Sequence, residues 1–147
     1  MIREATVQDI PRIVEMGRHF IEQSEYTETV KYNPQQLKKL TEGVIENDLG
    51  AVFLSEVDGQ ITGFIAALLF DNPFSGELTA SDLAWWVEPD ARGSGVRLLR
   101  RAEKWAKGRG ATAMNMVAPN PRVGQLYSRL GYRQIENVYQ VDFGGLS

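Results

Sequence analysis

The chain has no cysteine and a single histidine, His19, among its 147 residues. The first absence removes disulfides, thiolate metal ligands and a cysteine nucleophile, so a covalent acyl-enzyme would have to use serine, lysine or another group. The second removes a multi-histidine metal site, and no metal is expected. A basic excess is also missing. Lys and Arg number 16 against 19 Asp and Glu, for a formal net charge of −3, whereas a dedicated nucleic-acid binder carries a strongly cationic surface to neutralise phosphates. The longest apolar run, Phe64 to Phe70, is too short to cross a bilayer. Met1-Ile2-Arg3-Glu4 lacks the basic start of a signal peptide. The expectation is therefore a soluble, cytoplasmic protein with no nucleic-acid or membrane partner. Repeats, low-complexity tracts and linker-like stretches are absent too, and one domain over residues 1–147 is expected.

What is present is 43% hydrophobic residues, enough for a continuous core. Ile2 to Ala5 reads as a first strand, and Thr6 with Asp9 as a capping pair before a helix that carries Ile10, Ile13, Val14, Gly17 and Ile21 on one face. Asn33-Pro34 opens a second helix, with Leu37, Leu40 and Val44 aligned. Two strands follow, Ala51 to Glu56 and Ile61 to Phe70, joined by a turn at Asp58-Gly59. Thr79 to Val87 is a fourth strand. A glycine turn then leads into a helix with Gly95, Leu98, Leu99, Ala102 and Ala106 on its buried side. Ala113 to Val117 is a fifth strand, and Asn120-Pro121 caps a last helix that ends at Gly131. Gln134 to Val138 and Tyr139 to Phe143 finish as strands. The order β-α-α-β-β-β-α-β-α-β-β is an α+β layer design.

The chemistry concentrates in Val87-Glu88-Pro89-Asp90-Ala91-Arg92-Gly93-Ser94-Gly95-Val96-Arg97. A strand ends, a glycine turn follows and a helix begins, so unpaired N–H groups and the positive end of the helix dipole make an anion site. Gly93 and Gly95 keep side chains out of the way of a phosphate. The Gly-Lys-Ser/Thr of a Walker A loop is missing. The third glycine of the dinucleotide fingerprint is replaced by Leu98.

These residues resemble the GNAT superfamily of N-acetyltransferases. Trp86-Val87-Glu88-Pro89 and Arg92-Gly93-Ser94-Gly95 match its strand-and-turn motif, and Asn120, Leu126-Tyr127 and Gly131-Tyr132 match its Asn-x6-Tyr-x3-Gly-aromatic helix. The resemblance covers essentially the whole chain. One position departs from it: Arg97 stands where the family has Gly or Ala, and the expectation is that it points outward and binds phosphate.

The resemblance implies a mixed, mostly antiparallel sheet with helices on both faces and acetyl-coenzyme A as co-substrate. It implies direct attack of a primary amine on the thioester. The pantetheine arm would pair with the backbone of Trp85, Trp86 and Val87, a free N–H there polarising the thioester carbonyl. The pyrophosphate would sit on Arg92, Gly93, Ser94, Gly95, Val96 and Arg97, with Asn120 and Tyr127 also close to the cofactor. Tyr127 would be the general acid, with Asp82 or Glu88 as base. Asn120 serves equally well as a simple helix cap. Arg100, Arg101, Lys104 and Lys107 read as a solvated face, the three tryptophans as core, and His19 as structural or surface. The acceptor, a small amine or a peptide amine, is expected near Glu22, Glu25, Glu28, Tyr26 and Tyr32, whose charges and rings suit a cation. A homodimer is compatible with this reading. The competing class is a non-catalytic acyl-coenzyme A sensor. Tyr127 and a strand acid favour the enzyme, because a pure binder needs neither.

Overall fold

A computed structural model describes residues 1–146 and, at Arg92, the backbone without the side chain. Five strands form one sheet in the order β1-β2-β3-β4-β5: β1 (Ile2–Glu4), β2 (Gly50–Val57), β3 (Gln60–Asp71), β4 (Leu78–Val87) and β5 (Ala113–Asn115). The first four are antiparallel neighbours, and only β5 runs parallel to β4. The turn between β2 and β3 places Asp58 at φ 51° and Gly59 at φ 77°, the left-handed pair that matches the twist of a tight hairpin.

Period-two alternation sends successive strand residues to opposite faces. Val52, Leu54, Phe64 and Trp86 meet Ile13 and Met16 of α1 (Ile10–Glu22) and Val44 of α2 (Pro34–Glu46) on one side. Ala51, Phe53, Ile65 and Val87 meet Leu98, Leu99 and Ala102 of α3 (Gly95–Gly108) on the other. α4 (Pro121–Arg129) follows β5. The entry to α1 is fixed by Asp9. Its carboxylate accepts from both guanidinium ends of Arg3 at 2.9 Å and from the Thr6 N–H at 2.8 Å, and Arg3 foremost holds it down at about 2.

Two expectations need correction. The fifth strand stops at Asn115 rather than Val117, because side chains satisfy the Val117 backbone instead of a neighbouring strand. The strands expected over Gln134–Val138 and Tyr139–Phe143 do not form. Their apolar residues suit a half-buried sheet, but a strand needs a ladder, and among the described residues this segment pairs with none. Val138, Tyr139 and Phe143 are 89%, 90% and 94% exposed.

Candidate active site

The site lies where β4 leaves its neighbours. Against β3, Ala66 pairs with Ala84 and Ala67 with Asp82, so Leu83 is an extra residue in the ladder. Such a bulge bends the strand and takes local backbone out of the pairing. On the other side, β5 pairs with β4 only from Thr79 to Ser81. Beyond that the two strands part, and side chains bridge them. The Asp82 carboxylate accepts the Val117 N–H at 2.9 Å, and the Tyr127 hydroxyl donates to the Val117 carbonyl at 3.0 Å. Asp82 and Tyr127 thus grip one residue's backbone from its two ends.

Both residues line a cavity of about 40 Å³ together with Phe20, Tyr26, Trp85 and Val123. That volume holds a small functional group or a little water, not a whole substrate. Burial pushes the Asp82 carboxyl up to about 6, although the Val117 N–H favours its ionised form. Burial also drives the Tyr127 phenol far above its ordinary value, with the Asp82 charge adding to the effect. Tyr26 is raised for the same two reasons. The cavity therefore combines a carboxyl that titrates near neutrality with a phenol that keeps its proton, the separation on which acid and base roles rest.

Trp85 ties this cavity to the glycine turn. Its indole N–H donates to the Gly95 carbonyl at 3.1 Å, and its ring stacks on Tyr127 with centroids 5.7 Å apart and planes at 20°. A 3-10 turn over Pro89–Ser94 runs directly into α3. A Cβ added at Gly95 would lie 3.5 Å from both Trp85 and Val87, whereas one at Gly93 would meet nothing within 4 Å. Val96 and Arg97 are exposed on the first turn of α3. The side chain of Arg92 lies outside the described residues. Trp86 faces the opposite side of the sheet, edge-on to Phe20. Asn120 caps α4, its side chain accepting from the Val123 N–H at 3.0 Å.

Glu88 is not brought into the cavity. Its carboxylate sits 2.7 Å from His19 Nδ1 and 3.6 Å from an Arg12 nitrogen, while Arg12 also donates to the Ile61 carbonyl. His19 thus joins α1 to the end of β4 across 69 positions of sequence, a distance at which no spacing rule operates. The α3 cations are also less uniform than expected. Arg101 lies 4.3 Å over the Phe53 ring and Arg100 pairs with Glu103, while Arg100, Lys104 and Lys107 are all exposed. Among the described residues, no cluster of three His, Asp or Glu is placed to hold a metal ion. Among the same described residues, no helix is long and apolar enough to cross a membrane.

A model of the acetyltransferase (GNAT) family matches residues 14–132. The aminoglycoside N(6')-acetyltransferase type 1 of Klebsiella aerogenes is 31% identical over 90 residues, which are 57% of this chain and 58% of that protein. The matched stretch thus spans under two thirds of the curated relative. Among solved structures, a predicted acetyltransferase of Clostridium acetobutylicum with acetyl-CoA superimposes at a TM-score of 0.79 with 22% identity, over 97% of this chain and 95% of that one. An apo aminoglycoside 6'-N-acetyltransferase of Acinetobacter haemolyticus superimposes at 0.77 with 19% identity, over 97% of each chain. At those identities the likeness is one of fold.

Proposed function

Because the chain belongs to the acetyltransferase (GNAT) family, we propose that it moves the acetyl group of acetyl-coenzyme A to a primary amine by direct attack where β4 and β5 part. The observation that carries this reading is the grip of Asp82 and Tyr127 on the Val117 backbone beside the start of α3. Coenzyme A lies along β4, with its pyrophosphate on the N–H groups from Gly93 to Arg97, where the helix dipole favours an anion. Arg97, exposed on that turn, supplies charge. The bulge at Leu83 leaves β4 backbone uncommitted to the β3 ladder, and an N–H there polarises the thioester carbonyl.

An alkylammonium acceptor has a pKa near ~10.4 and is unreactive until it loses a proton. Asp82, ionised above about 6, takes that proton directly or through one water. The amine nitrogen then bonds to the thioester carbon, and the C–S bond breaks as the adduct collapses. Tyr127 gives its proton to the departing thiolate, and the proton shed by the new amide nitrogen restores the phenol. Glu88, held by His19 and Arg12, positions α1 against β4 and takes no part in proton transfer.

For the acceptor we propose a small polycationic amine. Two of the named relatives are aminoglycoside acetyltransferases, and here the turn Glu25–Glu28 presents two exposed carboxylates around Tyr26, which lines the cavity. Reversing Glu25 and Glu28 to Lys is expected to raise acceptor KM several-fold and to spare KM for acetyl-CoA. That increase should shrink with added salt, since exposed charges are screened beyond ~10 Å at 0.1 M.

Thiol release from acetyl-CoA in the presence of aminoglycosides, polyamines and peptides tests the reaction itself. Release above the acceptor-free rate is expected with the polycations. If none of the amines raises release above the acceptor-free rate while coenzyme A still raises the melting temperature, the chain would be a non-catalytic acyl-coenzyme A binder. Gly95→Glu places an anion at the helix start and should weaken coenzyme A by ~10-fold or more, a loss of at least ~1.4 kcal/mol. Unchanged affinity in a folded variant would move the pyrophosphate elsewhere.

A further inference from the structure

Glu88 is the residue from which the glycine turn departs, and its N–H, its carbonyl and its carboxylate are all committed. The N–H donates to the Thr62 carbonyl at 2.8 Å, one step past the Gly63–Val87 pair of β3 and β4. The carbonyl accepts the Ala91 N–H at 2.9 Å, inside the turn Pro89–Ser94. The carboxylate reaches back to α1, where it lies 2.7 Å from His19 Nδ1. The neighbours of that ring decide where its proton sits, because a carboxylate only accepts and a guanidinium only donates. Nδ1–H therefore donates to Glu88, and Nε2 accepts from an Arg18 nitrogen at 3.4 Å. A neutral imidazole satisfies both partners. Arg12 stands farther from Glu88, at 3.6 Å, and directs two hydrogen bonds at the Ile61 carbonyl instead.

We propose that His19 is a positioning residue for coenzyme A, fixing the entry of the turn that receives the pyrophosphate. The inference rests on the reading that places the pyrophosphate on the N–H groups from Gly93 to Arg97. That turn is held at its two ends. Trp85 holds the exit through the Gly95 carbonyl, and Glu88 holds the entry. Between them Ala91 departs from helical geometry, at φ −128° and ψ 24°, and nothing lies within 4 Å of where a Gly93 side chain would start. The aim of the intervening N–H groups is thus set by the anchors, and an anion site binds tightly only when its donors are placed beforehand. Thr62 and Ala91 fix the backbone of Glu88, but only its side chain ties the turn to a second layer of the fold. His19 stands on a helix whose Ile13 and Met16 are buried in the core, so its end of the bond is rigid. The side chains of His19 and Glu88 are 23% and 19% exposed, sheltered enough for a charge-assisted bond to exceed an open surface pair. Because α1 and α3 pack on opposite faces of the sheet, His19 acts on the turn from the far side.

Calorimetric titration of the full chain with coenzyme A tests this role without an acceptor. His19→Ala should raise Kd by ~10-fold, the cost of ordering the donors moving into the binding step. His19→Asn should restore Kd to within ~3-fold, because its amide N–H stands where Nδ1–H stood. Glu88→Ala should match His19→Ala, and the double variant should be no weaker than either, since all three lack the same bond. Unchanged affinity in folded His19→Ala, no rescue by Asn, or additive losses in the double variant would each overturn the role. If the alanine variants do not fold, His19→Asn against Glu88→Gln carries the test, with near-native affinity expected for the first and weaker binding for the second. Equal affinities would overturn it. One measurement needs no variant. His19 is the sole histidine, so its ring nitrogen-15 signals identify themselves, and they should show the proton on Nδ1. A proton on Nε2 alone would overturn the proposal, because that ring cannot donate to Glu88. Gly95→Glu run alongside separates the two readings. If it leaves coenzyme A affinity unchanged, the pyrophosphate lies elsewhere. If it weakens binding while His19→Ala does not, the turn stands and the positioning role falls.

Discussion

Tyr127→Phe is expected to lower turnover by ~10²-fold, the scale of a lost general acid, while KM for acetyl-CoA changes little. The substitution removes one hydroxyl and keeps the ring that stacks on Trp85. It leaves the Val117 carbonyl without its donor, a loss of about 1 kcal/mol in stability that a melting curve separates from the kinetic effect. Because burial and the Asp82 charge hold the phenol far above its ordinary value, it stays protonated throughout the working range. The wild-type rate should therefore show no alkaline limb from this group. Steady-state thiol release measures both points. Equal turnover in the two proteins would mean that the thiolate departs without a proton from Tyr127.

Asp82→Asn is expected to move activity and stability in opposite directions. In the unfolded chain this carboxyl ionises near 3.8, and in the folded chain at about 6. Between those values the folded state holds more protons than the unfolded one, so stability falls as pH rises through this window and is lowest once both states are ionised. At pH 8 the buried charge costs up to about 3 kcal/mol. The amide of Asn carries no charge and still accepts from the Val117 N–H, so the variant should melt higher at pH 8 by up to roughly 6–12 °C. The gap should nearly close at pH 4. Activity should fall by ~10²-fold, as for a lost general base. The acid limb of kcat/KM near pH 6 should vanish with it. A variant less stable than wild type at both pH values would show that the ionised carboxylate is a net stabiliser. An acid limb that persists would assign the proton transfer to another group.

The fold was legible where a periodicity or a cap has a local cause. Asn33 and Asn120 do cap α2 and α4, the Asp58-Gly59 turn does join β2 to β3, and both helix layers follow from the spacing of their apolar residues. The glycine turn was legible for the same reason, since strand, turn and helix are adjacent in sequence. The relations that make the site are not adjacent. The Asp82–Val117 and Tyr127–Val117 bonds and the His19–Glu88 pair arise from how strands diverge and helices pack, and single-chain spacing carries no record of them. Trp85 is instructive. As a strand aromatic it reads as core, yet its two faces of interaction, with Gly95 and with Tyr127, depend on α3 and α4 arriving from different parts of the chain. Residues 134–143 failed for the opposite reason: a run of apolar residues reports what a segment can bury, not whether a ladder receives it.

The seam between β4 and β5 has a consequence for motion. Nine register pairs join β3 to β4, but three join β4 to β5, and those three are parallel. The antiparallel strands β2, β3 and β4 are linked by short connections and form one cooperative unit, whereas β5 returns to β4 only after the whole of α3, a longer loop to close for fewer bonds. Local opening favours joints of few bonds, so β5 with α4 is expected to open against the rest as a flap about the Thr79–Ser81 pairing. Tyr127 rides on the flap and Asp82 on the fixed body. The distance between Tyr127 and Asp82, the proposed acid and base, is then set by a joint of three register pairs. A ligand that spans both sides rigidifies that joint in the act of being bound.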